Sequence, residues 1–116
     1  MAAKRTKYFF QASNQQVDLV ARAFRALGDP TRLKMLKALE SGEQSVQDLV
    51  AQFTCSQPNI SRHLSILTAA GLVAKNKQGP YVLYRVADPR IFELCDLVCG
   101  HVYSLLARYS GKASSA

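Results

Sequence analysis

The chain has 116 residues, 48% of them hydrophobic and 20% charged, which suits one domain with a modest core and excludes wholesale disorder. Fifteen Lys and Arg against eight Asp and Glu leave a net charge of +7, an excess that fits a polyanionic partner because cations neutralising phosphates release bound counterions. No apolar run approaches the roughly 18–20 residues of a membrane span and no signal-peptide pattern opens the chain, so a cytoplasmic protein without a membrane partner is expected.

Residues 1–13 read as a polar, basic N-terminal arm whose Tyr8, Phe9 and Phe10 can dock on the body. In "NQQVDLVARAFRALG", Val17, Leu19, Val20, Ala23, Phe24 and Leu27 keep a helical rhythm that ends at Gly28. "DPTRLKMLKALESG" offers Asp29 as a cap, Pro30 in the first turn, and an apolar stripe of Leu33, Met35, Leu36 and Leu39 before Gly42. "SVQDLVAQF" starts with Ser45 three residues before Asp48, a capping-box spacing, and predicts a helix over 46–53 that buries Val46, Leu49, Val50 and Phe53.

"TCSQPNISRHLSILTAAGLV" is the most informative stretch. Ser56 suits a cap, Pro58 suits the first turn, Ile60, Leu64 and Leu67 share a face, and Gly71 closes a helix over 57–70. Its polar residues Gln57, Asn59, Ser61, Arg62 and His63 are read as an outer face without a single acid. "LVAKNK" and "YVLYRVA" around the turn "QGP" change the period to that of a β-hairpin. "DPRIFELCDLVCGHVYSLLARYSGK" then predicts a long last helix, with Gly100 as a soft spot and 110–116 as a disordered tail.

Three short helices, a polar-faced helix and a hairpin, in that order, predict a mainly α fold with a β-hairpin wing: a five-helix winged helix-turn-helix over residues 14–109. The reading helix of such a unit enters the major groove, where Gln or Asn can grip adenine and Arg can grip guanine. Ser56 and the open amides beside it suit a phosphate. His63 reads as a groove or phosphate contact or as a packed boundary residue, before a metal ligand. On the hairpin, Lys75, Lys77, Tyr81, Tyr84 and Arg85 are placed to touch flanking backbone, and Tyr84 suits the hairpin base equally well. The last helix carries apolar residues on more than one face, which favours a partner helix.

"FRALGDPTRLKMLKALESGEQSVQDLVAQF", "SQPNISRHLSILTAAGLV" and "QGPYVLYRV" together resemble the ArsR/SmtB family of prokaryotic metal-sensing repressors, over about residues 15–109. Leu27, Asp29, Pro30, Thr31 and Arg32 match its "ALgDPTRL" signature. The resemblance implies a homodimer through the first and last helices. It also implies repression at an inverted-repeat duplex DNA operator and release when an inducer binds.

Two of the family's sensing arrangements do not carry over. Residues 45–53 contain no cysteine, and on the last helix only Asp96 and His101 are available for a zinc set, at the wrong spacing. In a reducing compartment Cys55, Cys95 and Cys99 are thiols or ligands before they are disulfides. Cys95 and Cys99 lie four apart, on one helix face, and soft sulfur donors select soft ions. A trivalent arsenical, cadmium, lead or zinc is thus the expected inducer, with Cys55 as a candidate third ligand and no ion needed for folding. A small-residue role in the dimer seam and a redox or persulfide switch stay open. A winged helix used only as a protein-binding adaptor is a further alternative, which steep salt dependence of DNA binding would exclude. An enzyme is not expected: there is no phosphate loop, no carboxylate pair and no nucleophile with a base.

Overall fold

Seven elements follow one another: α1 (Asn14–Leu27), α2 (Pro30–Leu39), α3 (Val46–Val50), α4 (Gln57–Ala69), β1 (Val73–Gln78), β2 (Tyr81–Val86) and α5 (Ile91–Ser114). The computed structural model describes the backbone of residues 6–114 and the side chains of residues 6–109. Five helices and an antiparallel two-stranded hairpin in this order make the winged helix-turn-helix that the sequence predicts.

Each of the first four helices starts where a side-chain oxygen meets an open amide. Ser13 accepts from the Gln16 amide while the Gln16 side chain accepts from the Ser13 amide at 2.8 Å, and Ser45 with Asp48 repeats this box. Asp29 accepts from Arg32 N and Ser56 from Asn59 N, with a proline in the first turn of both helices. The end of α4 is equally defined. Gly71 adopts φ +78°, the Leu72 amide donates to the Leu67 carbonyl at 2.9 Å, and the Gly71 amide donates to the Thr68 carbonyl at 3.0 Å. In the hairpin, Gly79 at φ +60° precedes Pro80 in a two-residue loop that needs a left-handed first position.

The core gathers Leu27, Met35, Leu36, Leu39, Leu49, Ile60, Leu64, Leu67 and Val73. α4 lies at its centre and packs against α1, α2, α3 and β1. The wing is tied to the body by more than its own ladder. Gln44, just before α3, exchanges two backbone hydrogen bonds with Tyr84 of β2, at 3.0 and 2.8 Å. The Gln44 side chain also donates to the Ala38 carbonyl at 2.6 Å, so the α2–α3 connection carries the base of the hairpin.

Several boundaries differ from the sequence reading. α3 ends at Val50 and residues 51–53 continue as a turn, which leaves Phe53 half-buried against the core. Leu33, expected in the apolar stripe, is exposed, because the buried side of α2 is set by Met35, Leu36 and Leu39. α5 runs without a break through Gly100 and on to Ser114, past the expected start of the tail; residues 115–116 lie outside the described residues, as do residues 1–5 of the arm. Tyr8, Phe9 and Phe10 are largely exposed, with Phe9 and Phe10 edge to face at 6.1 Å and Tyr8 close enough to Arg90 to act on its charge.

The largest departure from a closed globule is the apolar surface of the terminal helices. Among the described residues, α5 packs on the core through its start, at Ile91, Phe92 and Leu94. Beyond it Leu97 is 73% exposed, and Val98, Val102 and Leu106 are exposed too, as are Val17, Leu19, Val20 and Phe24 on α1. The radius of gyration is 17.5 Å, against about 13 Å for a compact chain of this length. Among the described residues no helix is long and apolar enough to cross a membrane.

Leu64→Ala removes a fully enclosed side chain from the centre of this core and is expected to cost about 2–5 kcal/mol of stability, read by chemical denaturation at fixed protein concentration.

Candidate nucleic-acid interface

α4 is a helix with two unlike sides. Ile60, Leu64 and Leu67 are fully enclosed, whereas Gln57, Asn59, Arg62 and Ser65 face solvent and Ser61 is half-buried. Its first turn holds no acid, and Ser56 and Pro58 leave the remaining opening amides directed outward, at the positive end of the helix dipole. An exposed amide, a guanidinium and hydroxyls beside a positive helix end form a surface able to donate to phosphates and to base edges.

His63 does not belong to that surface. It is 8% exposed, turned inward against the expectation of an outer position. The reason is helical spacing: His63 lies three residues after Ile60 and four before Leu67, on the same buried row. That row was available in the sequence and outweighs the polarity of the residue. The pocket around His63 is polar. Arg32 Nη1 lies 3.2 Å from His63 Nδ1, Arg32 Nε donates to the Ala26 carbonyl at 2.6 Å, and Nη2 donates to the Arg25 carbonyl at 3.4 Å. Asp29 Oδ2 stands 4.0 Å from His63 Nδ1 and accepts from the Arg32 amide at 3.0 Å.

Burial lowers the pKa of His63; Asp29 opposes this, while Arg32 and Arg62 add to it. The ring is therefore neutral near pH 7, with Nδ1 as the acceptor and the proton on Nε2. Asp29 is also held below the usual carboxylate range, chiefly by the Arg32 amide. From the sequence, Asp29 is expected as a helix cap and, with Arg32, as part of the family signature. Nothing in their spacing announces a side chain of α4 as their partner, 31 positions along the chain from Arg32.

The hairpin register sorts the wing residues. Lys75 pairs with Tyr84 and Lys77 with Val82 on one face, while Ala74 pairs with Arg85 and Gln78 with Tyr81 on the other. Lys75, Lys77, Tyr81 and Arg85 are all exposed, but Arg85 and Tyr81 do not share a face with the two lysines. Tyr84 is half-buried against the core, and its backbone is bonded to Gln44, so it belongs to the hairpin base and leaves the expected contact surface.

The cysteines are free thiols in three settings. Cys55 is half-buried against the core in the turn before α4; Cys95 is half-buried on α5; Cys99, one turn later, is exposed. Among the described residues no three His, Cys, Asp or Glu side chains gather to hold an ion, so Cys55 does not join Cys95 and Cys99 within one chain. Burial, and then Cys99, push the Cys95 thiol up, and a hydrogen bond to Cys99 pushes the Tyr103 phenol up. Two soft donors one turn apart fit two positions of a thiophilic ion.

Comparison with known proteins places the chain. Residues 29–75 match the family described as "Bacterial regulatory protein, arsR family". An uncharacterised HTH-type transcriptional regulator of Methanocaldococcus jannaschii is 40% identical over 85 residues, covering 72% of this chain and 96% of that protein. A probable mercury resistance operon repressor of Streptomyces lividans is 44% identical over 77 residues, covering 66% of this chain and 62% of the repressor. The arsenical resistance operon repressor of Escherichia coli is 44% identical over 70 residues, 60% of each chain. The chain thus spans less than two thirds of these two repressors. A homodimeric winged helix-turn-helix DNA-binding domain from Mycobacterium bovis superposes with TM-score 0.73 at 28% identity, covering 84% of this chain and 94% of that one.

The fold and the solvent-facing helix define a winged helix-turn-helix regulator. The chain belongs to the ArsR family, a family of DNA-binding transcriptional regulators and not of enzymes.

A pH prediction follows from the buried histidine. With its folded pKa below the ordinary 6.5, His63 binds fewer protons in the folded state than in the unfolded chain. Its contribution to stability is complete above the ordinary value and is lost as pH falls through the depressed one. Denaturation midpoints from pH 7.5 to 5 should fall for the wild type and fall less for His63→Asn.

Proposed function

We propose that this chain is a cytoplasmic homodimeric repressor that grips an inverted-repeat operator with Gln57, Asn59, Ser61 and Arg62 of α4 and leaves it when a soft metal or a trivalent arsenical binds thiolates of α5. The observation that carries the DNA reading is the two-sided α4: one side is sealed in the core and the other is polar, acid-free and solvent-facing. Ser56 and its neighbouring amides are assigned a phosphate; Lys75 and Lys77 on one face of the wing, with Arg85 on the other, are assigned flanking backbone.

The dimer reading is supported by the exposed apolar faces of α1 and α5 and by the homodimeric M. bovis domain. Two-fold symmetry would set two copies of α4 about one helical turn of DNA apart.

Cys95 and Cys99 are the assigned inducer ligands. A bound ion would supply charge and a rigid link across one turn of α5, and the two thiols would have to give up their protons to hold it. Binding should therefore strengthen as pH rises, more so because burial holds the Cys95 proton. The mercury and arsenical resistance repressors among the relatives favour thiophilic inducers.

Arg62→Ala and Asn59→Ala are each expected to weaken specific operator binding by about 1–3 kcal/mol while the dimer stays folded; unchanged affinity in both variants would refute the assignment of α4. Cys95→Ser with Cys99→Ser should keep DNA binding and lose the response when reduced protein on its upstream DNA is titrated with arsenite, cadmium, lead, zinc, mercury or a persulfide donor. A double variant that still releases DNA would remove the sensing role from α5, and a wild-type response confined to the persulfide arm would replace metal sensing by thiol chemistry.

A further inference from the structure

The Arg32–His63 contact is part-buried, with His63 8% exposed, and joins α4 to the end of α1. Arg32 spends three N–H donors in three directions. Nε takes the carbonyl of Ala26, Nη2 adds a second donor to the Arg25 carbonyl, which also accepts from the Gly28 amide at 3.2 Å, and Nη1 takes Nδ1 of His63. A planar guanidinium can serve three such acceptors at once, and an ammonium cannot do so with the same geometry. His63 in turn lies four residues after Asn59 on one row of α4 and directly beside Arg62. A small roll of α4 at His63 therefore carries both exposed side chains with it.

We propose that Arg32 and His63 are positioning residues for DNA recognition: the guanidinium clasps the reading helix to the end of α1 through the neutral imidazole and fixes the angle at which Asn59 and Arg62 meet the duplex. The proposal rests on the reading that the outer side of α4 faces DNA.

The junction is also sensitive to protons. On protonation Nδ1 becomes a donor, so it can no longer accept from Arg32, and a guanidinium then faces an imidazolium. Asp29, at 4.0 Å, is the available new partner. The charged groups acting on the ring come from the α1–α2 corner, Asp29 and Arg32, and from α4 itself, Arg62; α3 and β1, also packed on α4, contribute none among the described residues. Acid thus exchanges one partner of α4 for another and places a positive charge beside Arg62.

The test is operator affinity of the full chain, measured by fluorescence anisotropy at pH 7.5 and 5.5 and across a salt series, for wild type, His63→Asn, His63→Leu, Arg32→Met, Arg62→Ala and Asn59→Ala. Asn keeps an acceptor near the place of Nδ1 and does not titrate. His63→Asn should bind within about threefold of wild type at pH 7.5 and lose the part of the acid-induced weakening that wild type shows. His63→Leu keeps apolar volume without an acceptor and should bind about tenfold or more weakly, with circular dichroism unchanged. Its salt slope should equal that of wild type, because no phosphate contact is lost. Arg32→Met should behave in the same way, and if it fails to fold the two His63 variants decide.

A salt slope lowered by about one in His63→Leu or a folded Arg32→Met would make these residues direct phosphate contacts and overturn the proposal. Identical pH profiles for wild type and His63→Asn, or wild-type affinity in His63→Leu, would overturn it as well. Unchanged affinity in both Arg62→Ala and Asn59→Ala would instead remove the DNA-facing reading of α4, and the proposal with it.

Discussion

α4 must be buried along one side and presented along the other, and the Arg32 junction is where these two demands meet. Burial of Ile60, Leu64 and Leu67 holds the helix to the body, but hydrophobic burial is non-directional and tolerates small rolls and slides. The contacts of Arg32 with the end of α1 and with His63 are directional. A half-buried guanidinium with three protein acceptors is also costly to leave unpartnered, so the arrangement is strongly preferred over neighbouring ones. The Schellman end at Gly71 and the Gln44–Tyr84 bridge act in the same sense on the wing, which follows α4 after a single turn and cannot swing independently of the α2–α3 connection.

The terminal helices show the opposite condition. α1 and α5 form with regular apolar faces, yet one chain offers too little surface to cover them. Water contact along Leu97, Val98, Val102 and Leu106 is unfavourable by the same term that builds the core, and in the proposed dimer a second copy would supply matching surface under two-fold symmetry. Stability of such an assembly depends on protein concentration.

Much of this was legible in the sequence, for identifiable reasons. Caps at Asp29, Ser45 and Ser56, the stop at Gly71 and the Gly79–Pro80 turn are local signals, read correctly because the chemistry lies within a few residues of the boundary. What failed was non-local or a matter of face. His63 is polar, and polarity suggested an outer position, whereas its place between Ile60 and Leu67 decides in favour of burial once Arg32 supplies a partner. Tyr84 and Arg85 are neighbours in sequence but lie on opposite faces of the wing, because a strand alternates and only the register says which face is which.

In the proposed regulator the thiol pair lies on α5 and the DNA-facing side on α4, so an inducer would weaken DNA binding by favouring a state in which α4 is held differently. Within one chain α5 touches the body mainly through its first turns, which leaves little direct leverage on α4. In the proposed dimer α5 and α1 pack in a common seam, and the end of α1 is the very place that Arg32 clasps. A shift in that seam moves the carbonyls of Arg25 and Ala26, and with them the guanidinium that fixes His63. The route from sulfur to operator then needs no contact between the two sites. It needs only that α1 belong both to the dimer seam and to the anchorage of α4.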